Sequence, residues 1–128
     1  MSKRLRIPDY LGHIDEAISK IGRYVGGMDW ETFSADTLRQ DATIRNLEII
    51  GEAARRILSA DPKFIEKYPE FELGEAVGMR NVLIHGYHAV QLDYVWDTVQ
   101  NDLPDLKQRI GKLLLRLRVA DSQSGEKE

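Results

Sequence analysis

Cysteine is absent from the 128 residues. That excludes a disulfide framework, zinc-thiolate sites and thiol nucleophiles, and it fits a reducing compartment. No run of roughly 18 apolar residues occurs, the length a membrane-spanning helix needs. The opening "MSKRLRIPDYLGHIDEA" is charged with no unbroken apolar segment behind it, so a soluble, cytoplasmic protein without a membrane partner is expected. Basic charge is not in excess either. With 18 Lys and Arg against 21 Asp and Glu, the net charge is -3 and the pI is near 5.6, which argues against a broad nonspecific nucleic-acid binder but leaves room for a local basic cleft. Strand-like alternation and internal repeats are missing as well.

Helical periodicity is what remains. From Ile7, the residues Leu11, Ile14, Ile18, Ile21 and Val25 recur at steps of four and three, one stripe of an amphipathic helix that Gly26-Gly27 ends. "MDWETFSADT" reads as a loop or short turn, with Trp30 and Phe33 plugging the core. A second helix is expected from about Asp36 to Leu58, where Leu47, Ile50, Ala54, Ile57 and Leu58 share a face and Glu48, Glu52, Arg55 and Arg56 point away. Gly51 lies on or beside the apolar face, where a glycine costs about 1 kcal/mol relative to alanine and lets another helix approach. Asp61 then caps a short connecting helix with Pro62 at its first position, and Pro69 closes it. Later, Asp93 can cap a helix carrying Val95, Trp96, Val99 and Leu103, and Pro104 starts or kinks a last one through Leu106, Ile110, Leu113, Leu114 and Leu117. The expected fold is all-α, an up-and-down bundle of four to five helices, forming a single domain over residues 1–119. The tail 120–128, "ADSQSGEKE", has too little apolar surface to fold and is expected to be disordered.

Between the connecting helix and the last ones stands "MRNVLIHGYHAV", residues 79–90, in which Arg80, Asn81, His85 and Tyr87 surround the apolar run Val82, Leu83 and Ile84. On an ideal helix Asn81 and His85 lie about 40° apart, while Arg80 and His85 lie about 140° apart. Arg80 then has to reach round, or the helix ends near His85, which Gly86 as a left-handed cap would allow. Histidine in a last turn is stabilised as imidazolium by the helix dipole. From spacing alone, Arg80 and His85 read more readily as capping and surface groups of a core helix, and an alternative for Tyr87 is an interface aromatic. His13 reads as a solvated residue beside Asp15 and Glu16, and His88 as a neighbour of the motif. Glu48 and Glu52 are four apart, but with Arg45, Arg55 and Arg56 nearby they read as a solvated ion-pair face rather than a metal site.

The segment "RNVLIHGY" resembles the R-x4-H-x-Y signature of the HepT branch of the HEPN superfamily, compact helical proteins many of which are metal-independent ribonucleases. "IRNLEIIGEAARRI" and "VWDTVQNDLPDLK" also resemble segments of that family, so the likeness runs from Ile7 to about Leu117. It implies an RNA endonuclease, the toxin of a toxin-antitoxin pair, acting without metal or cofactor. Arg80 and His85 would be catalytic and Asn81 supporting, at the cleft of a homodimer. It further implies an antitoxin partner, an MntA-like minimal nucleotidyltransferase that AMPylates Tyr87 and silences the nuclease. The alternative is a catalytically idle HEPN domain that binds nucleotide or scaffolds a nucleotidyltransferase.

Overall fold

The stripe of Leu11, Ile14, Ile18, Ile21 and Val25 is buried along one helix, α1 (Ile7–Val25). In the computed structural model, residues 6–69, 71 and 91–126 are described, 120–126 by their backbone alone. At the start of α1 the Arg6 N–H donates to Asp9 Oδ2 at 2.8 Å, and Pro8 sits in the first turn, where a missing N–H leaves no carbonyl unpaired. The glycine pair ends the helix by two different means. A Cβ on Gly26 would stand 2.7 Å from the Gly22 carbonyl oxygen, and Gly27 has φ of +78°, a left-handed conformation that costs other residues about 1–2 kcal/mol.

Asp29 opens α2 (Trp30–Ser34) by accepting from the Thr32 N–H at 2.8 Å and from its hydroxyl at 2.7 Å. The expected turn is thus a capped helical turn. Phe33 is wholly buried, as expected, whereas Trp30 is 40% exposed and corrects the expectation that both fill the core. Trp30 stands at the first position of α2, at the edge of the core, while Phe33 follows three residues on. Trp30 instead covers Phe33 and Trp96 from outside, with ring centroids 6.4 and 6.3 Å away. Asp36 then caps α3 (Thr37–Ala60), accepting from the Arg39 N–H at 3.0 Å. The Arg39 guanidinium also donates to the Tyr24 carbonyl, tying the end of α1 to the start of α3. α3 therefore returns antiparallel along α1, burying Leu47, Ile50, Gly51, Ala53, Ala54 and Ile57.

α4 (Phe64–Lys67) is a single turn that begins later than expected. Asp61 does not cap it directly. Its Oδ1 accepts from the Lys63 N–H at 3.1 Å, so Pro62 lies in a turn before the helix. The last two expected helices are one helical run with a wide turn inside: α5 (Leu92–Asp97), a π segment (Thr98–Asp102) and α6 (Leu103–Glu126). Gln91, not Asp93, is the cap position, and Asp93 lies in the first turn. The Leu103 N–H reaches back to the Thr98 carbonyl. That i to i+5 step precedes Pro104, which has no N–H for the carbonyl four residues back. α6 runs through Glu126, its residues 120–126 described by their backbone. No proline and only Gly125 interrupts the sequence beyond Leu117, so the backbone can propagate helix without an apolar stripe.

α1 packs against α3 on one side and α6 on the other. Lys107 fastens the second contact, its Nζ donating to Asp15 Oδ1 at 2.9 Å and Ser19 Oγ at 2.8 Å. Ile57, Phe64, Val95, Ile110 and Leu113 meet the α1 stripe in one core, each buried side chain contributing about 1.5–3 kcal/mol. One polar atom in it is unmatched. The Thr43 hydroxyl is fully buried with no hydrogen-bond partner among the described residues. The described chain is all-α, with no strand, in agreement with the bundle expected from periodicity.

Candidate functional site

Arg80, Asn81, His85, Tyr87 and His88 lie outside the described residues, so the geometry available is that of the frame on either side of them. Phe71, where the described chain stops, is 1% exposed. It is held by an aromatic cluster with ring centroids 6.1 Å from both Phe64 and Tyr68, and its N–H donates to the Tyr68 carbonyl at 3.1 Å. Asp61 fixes the turn before it. A 3.0 Å ion pair with Lys67, together with the Lys63 N–H, holds the Asp61 carboxyl below the ordinary carboxylate value. On the far side, Gln91 leads into α5, whose Val95 is wholly buried. The described chain is therefore anchored in the core on both sides of residues 72–90.

The acidic pair on α3 is an ion-pair face, as its arginine neighbours suggested. Glu52 takes Arg55 in a forked contact at 2.7 and 3.2 Å and Arg56 at 3.1 Å, while Glu48 pairs with Arg45 at 3.7 Å. The hydrogen bond and the charge of Glu52 raise the Arg55 pKa further above its already high value. Both carboxylates thus face guanidinium groups. Among the described residues no cluster of three or more His, Asp or Glu could hold a metal ion. His13 is exposed, as expected, with its ring 6.1 Å from Tyr10 in an edge contact. It lines a small groove of about 190 Å³ between α1 and α3 with Glu16, Lys20 and Asn46.

Sequence reading missed a basic face on α6. From Leu106 to Val119 the helix carries Lys107, Arg109, Lys112, Arg116 and Arg118 and no carboxylate. Arg109, Lys112 and Arg116 fall at i, i+3 and i+7, on one side of the helix. They line a groove of about 510 Å³ with Leu115 and Phe71. Arg109 pairs with Asp105 at 2.9 Å. The Arg116 guanidinium stands 5.9 Å from the centre of the Tyr68 ring in a cation–π contact. That spacing was present in the sequence; the aromatic wall and the groove were not.

The α1/α3 antiparallel pair and the last helix packed on α1 are consistent with an all-α, HEPN-like bundle. The chain belongs to the HepT-like ribonuclease family: the family described as "Ribonuclease HepT-like" matches residues 14–113. Among curated proteins, it is 41% identical over 105 residues to the "Probable ribonuclease HepT" of Thermococcus cleftensis, covering 82% of this chain and 93% of that one. It is 38% identical over 117 residues to a Methanocaldococcus jannaschii protein described as "Gamma-glutamylcyclotransferase and putative RNase". That alignment takes in 91% of this chain but spans only 50% of the longer protein. No solved structure matches the chain with significance. No helix among the described residues is long and apolar enough to cross a membrane.

Proposed function

We propose that this protein is a metal-independent RNA endonuclease, the cytoplasmic toxin of a toxin-antitoxin pair, acting as a homodimer. The observation that carries the reading is the complete R-x4-H-x-Y pattern, Arg80, His85 and Tyr87 with Asn81 after the arginine, in a chain of the HepT-like ribonuclease family. In cleavage of this kind the ribose 2′-oxygen attacks the adjacent phosphorus, giving up its proton to a base. The bond from phosphorus to the 5′-oxygen breaks as an acid protonates that oxygen, leaving a 2′,3′-cyclic phosphate. His85 suits the proton transfers, because an unperturbed imidazole near pH 6.5 exchanges readily. Arg80 suits the charge on the phosphorane, its planar fork matching two equatorial oxygens. One chain offers one such pair; a two-fold dimer with the motifs facing offers two, enough for separate acid and base. Asn81 supports by orienting the phosphate.

Control follows from Tyr87. An AMP group placed there by a minimal nucleotidyltransferase antitoxin would bring negative charge and bulk beside His85, where substrate phosphate has to sit.

The test incubates purified protein with RNA in EDTA, alongside His85→Ala and Arg80→Ala. Cleavage by the wild type and loss of it in both variants, with helicity unchanged by circular dichroism, is the expected result. A variant that cuts at the wild-type rate removes these residues from the mechanism. A wild type that cuts nothing makes the chain an inactive scaffold for a nucleotidyltransferase.

A further inference from the structure

We propose that the α6 groove is a seat for single-stranded RNA outside the cleavage motif, with Lys112 and Arg116 taking neighbouring backbone phosphates and Leu115 meeting a base between them. The proposal rests on the ribonuclease reading only for the identity of the strand. Its physical basis is local charge that no described residue neutralises. In a chain with more carboxylates than cations, Lys107 is committed to Asp15 and Ser19 and Arg109 to Asp105. Lys112 has no ion-pair partner among the described residues, and the contact Arg116 makes there is the Tyr68 ring. Two adjacent cations with no carboxylate partner among the described residues repel each other, an arrangement that an anion relieves.

Spacing and shape narrow the anion. Residues four apart on a helix have Cβ atoms about 6 Å apart, comparable to the step between phosphates on an extended strand. The groove of about 510 Å³ is large enough for a nucleotide unit. Leu115, 66% exposed in its wall, offers an apolar surface that a splayed base can cover and that a duplex, with its bases stacked inward, cannot reach. Arg116 lies against an aromatic ring, so its guanidinium is fixed before the strand arrives. Combined cations and base-contacting surface are the pattern of sequence-tolerant single-strand binding. Phe71 lines the same groove and is where the chain departs toward Arg80 and His85. A strand held here therefore lies where the motif-bearing segment begins.

The experiment measures binding of a short, uncleavable 2′-O-methyl oligonucleotide by fluorescence anisotropy across a salt series. Wild type is compared with Lys112→Gln/Arg116→Gln and with Arg45→Gln/Lys63→Gln, a pair of equal charge change on α3 and the α4 turn. Each phosphate contact on a single strand contributes about 0.7 to the slope of log affinity against log salt. The Lys112/Arg116 variant should lower that slope by about 1.4, the control should leave it unchanged, and duplex RNA should bind wild type more weakly. On long RNA the variant should raise KM, while kcat on a dinucleotide stays at the wild-type value. An unchanged slope overturns the seat and leaves the face to a protein partner. Equal loss in the control, or duplex binding as tight as single strand, overturns it too. A fallen slope in a chain that cuts nothing upholds the seat and rejects the ribonuclease reading; intact cleavage with an unchanged slope does the reverse.

Discussion

Replacing Phe33 with alanine should destabilise the protein about twice as much as replacing the larger Trp30. Phe33 is 0% exposed and its ring lies 4.9 Å from Trp96. An aromatic of this kind covers roughly 200 Å², worth about 5 kcal/mol at 25 cal/mol per Å². Residual burial in the unfolded chain lowers that figure and the cavity left behind restores part of it, so about 4 kcal/mol is expected. Trp30 is 40% exposed. Roughly 150 Å² of it is covered, and water can enter the space it vacates, so the loss should be about 2 kcal/mol after the same correction. With an m-value of about 1.5 kcal/mol/M, the urea midpoint should fall by about 2.7 M for Phe33→Ala and about 1.3 M for Trp30→Ala. The transitions should be followed by circular dichroism at one protein concentration, because association shifts apparent stability. Fluorescence is the second probe, as Trp30 and Trp96 are the two tryptophans of the chain. A Trp30→Ala midpoint at or below that of Phe33→Ala would refute the assignment of Phe33 as the ring that joins α2 to the core.

Thr43→Val should raise the urea midpoint, because it removes a buried hydroxyl that has no partner; such a group costs about 1 kcal/mol or more, and a drop in midpoint would show that the hydroxyl is satisfied. The carboxyls of Asp29, through the Thr32 hydroxyl and N–H, and of Asp61, mainly through Lys67, are held below their ordinary values. Their stabilisation is therefore complete above the unfolded value of about 3.9 and is lost as pH falls through the folded values. The midpoint gap between wild type and Asp29→Asn/Asp61→Asn should close in acid, and a gap independent of pH would contradict this. Tyr87→Phe should escape AMP addition when coexpressed with an active nucleotidyltransferase partner, read by intact mass, and should continue to cut RNA. Unchanged AMP addition would place the modified residue elsewhere.

Periodicity made α1 and α3 legible because each buries one stripe along its whole length, and residues such as Leu11, Ile14 and Ile57 have no competing role. Short elements were harder to read. Trp30 and Phe33 are equally apolar, and only the cap at Asp29 fixes which ring turns inward. At Pro62 the general preference for a first helical position lost to an Asx-type turn at Asp61. Asp93 looked like a cap, yet the side chain bonds the neighbouring Tyr94 N–H at 2.9 Å from inside the first turn. Arg80, His85 and Tyr87 stood out as unusual company for a valine-leucine-isoleucine run, but they lie outside the described residues. The basic face of α6 went unread because its meaning depends on pairing. Only the partners of Lys107 and Arg109 reveal that, among the described residues, Lys112 and Arg116 have no carboxylate partner.

The wide turn between Thr98 and Asp102 gives the last helix one residue more than an α-helix of the same span would hold. Deleting a residue elsewhere in that helix would rotate everything downstream by about 100°, carrying Ile110 and Leu113 off the core. Deleting one inside the turn would leave both flanks facing as they do now, but it would set Pro104 in a regular helix against the carbonyl four residues back. The extra residue and the proline are therefore interdependent. A relative that lacks one should lack the other, and this turn is where the helix can change length without losing its register.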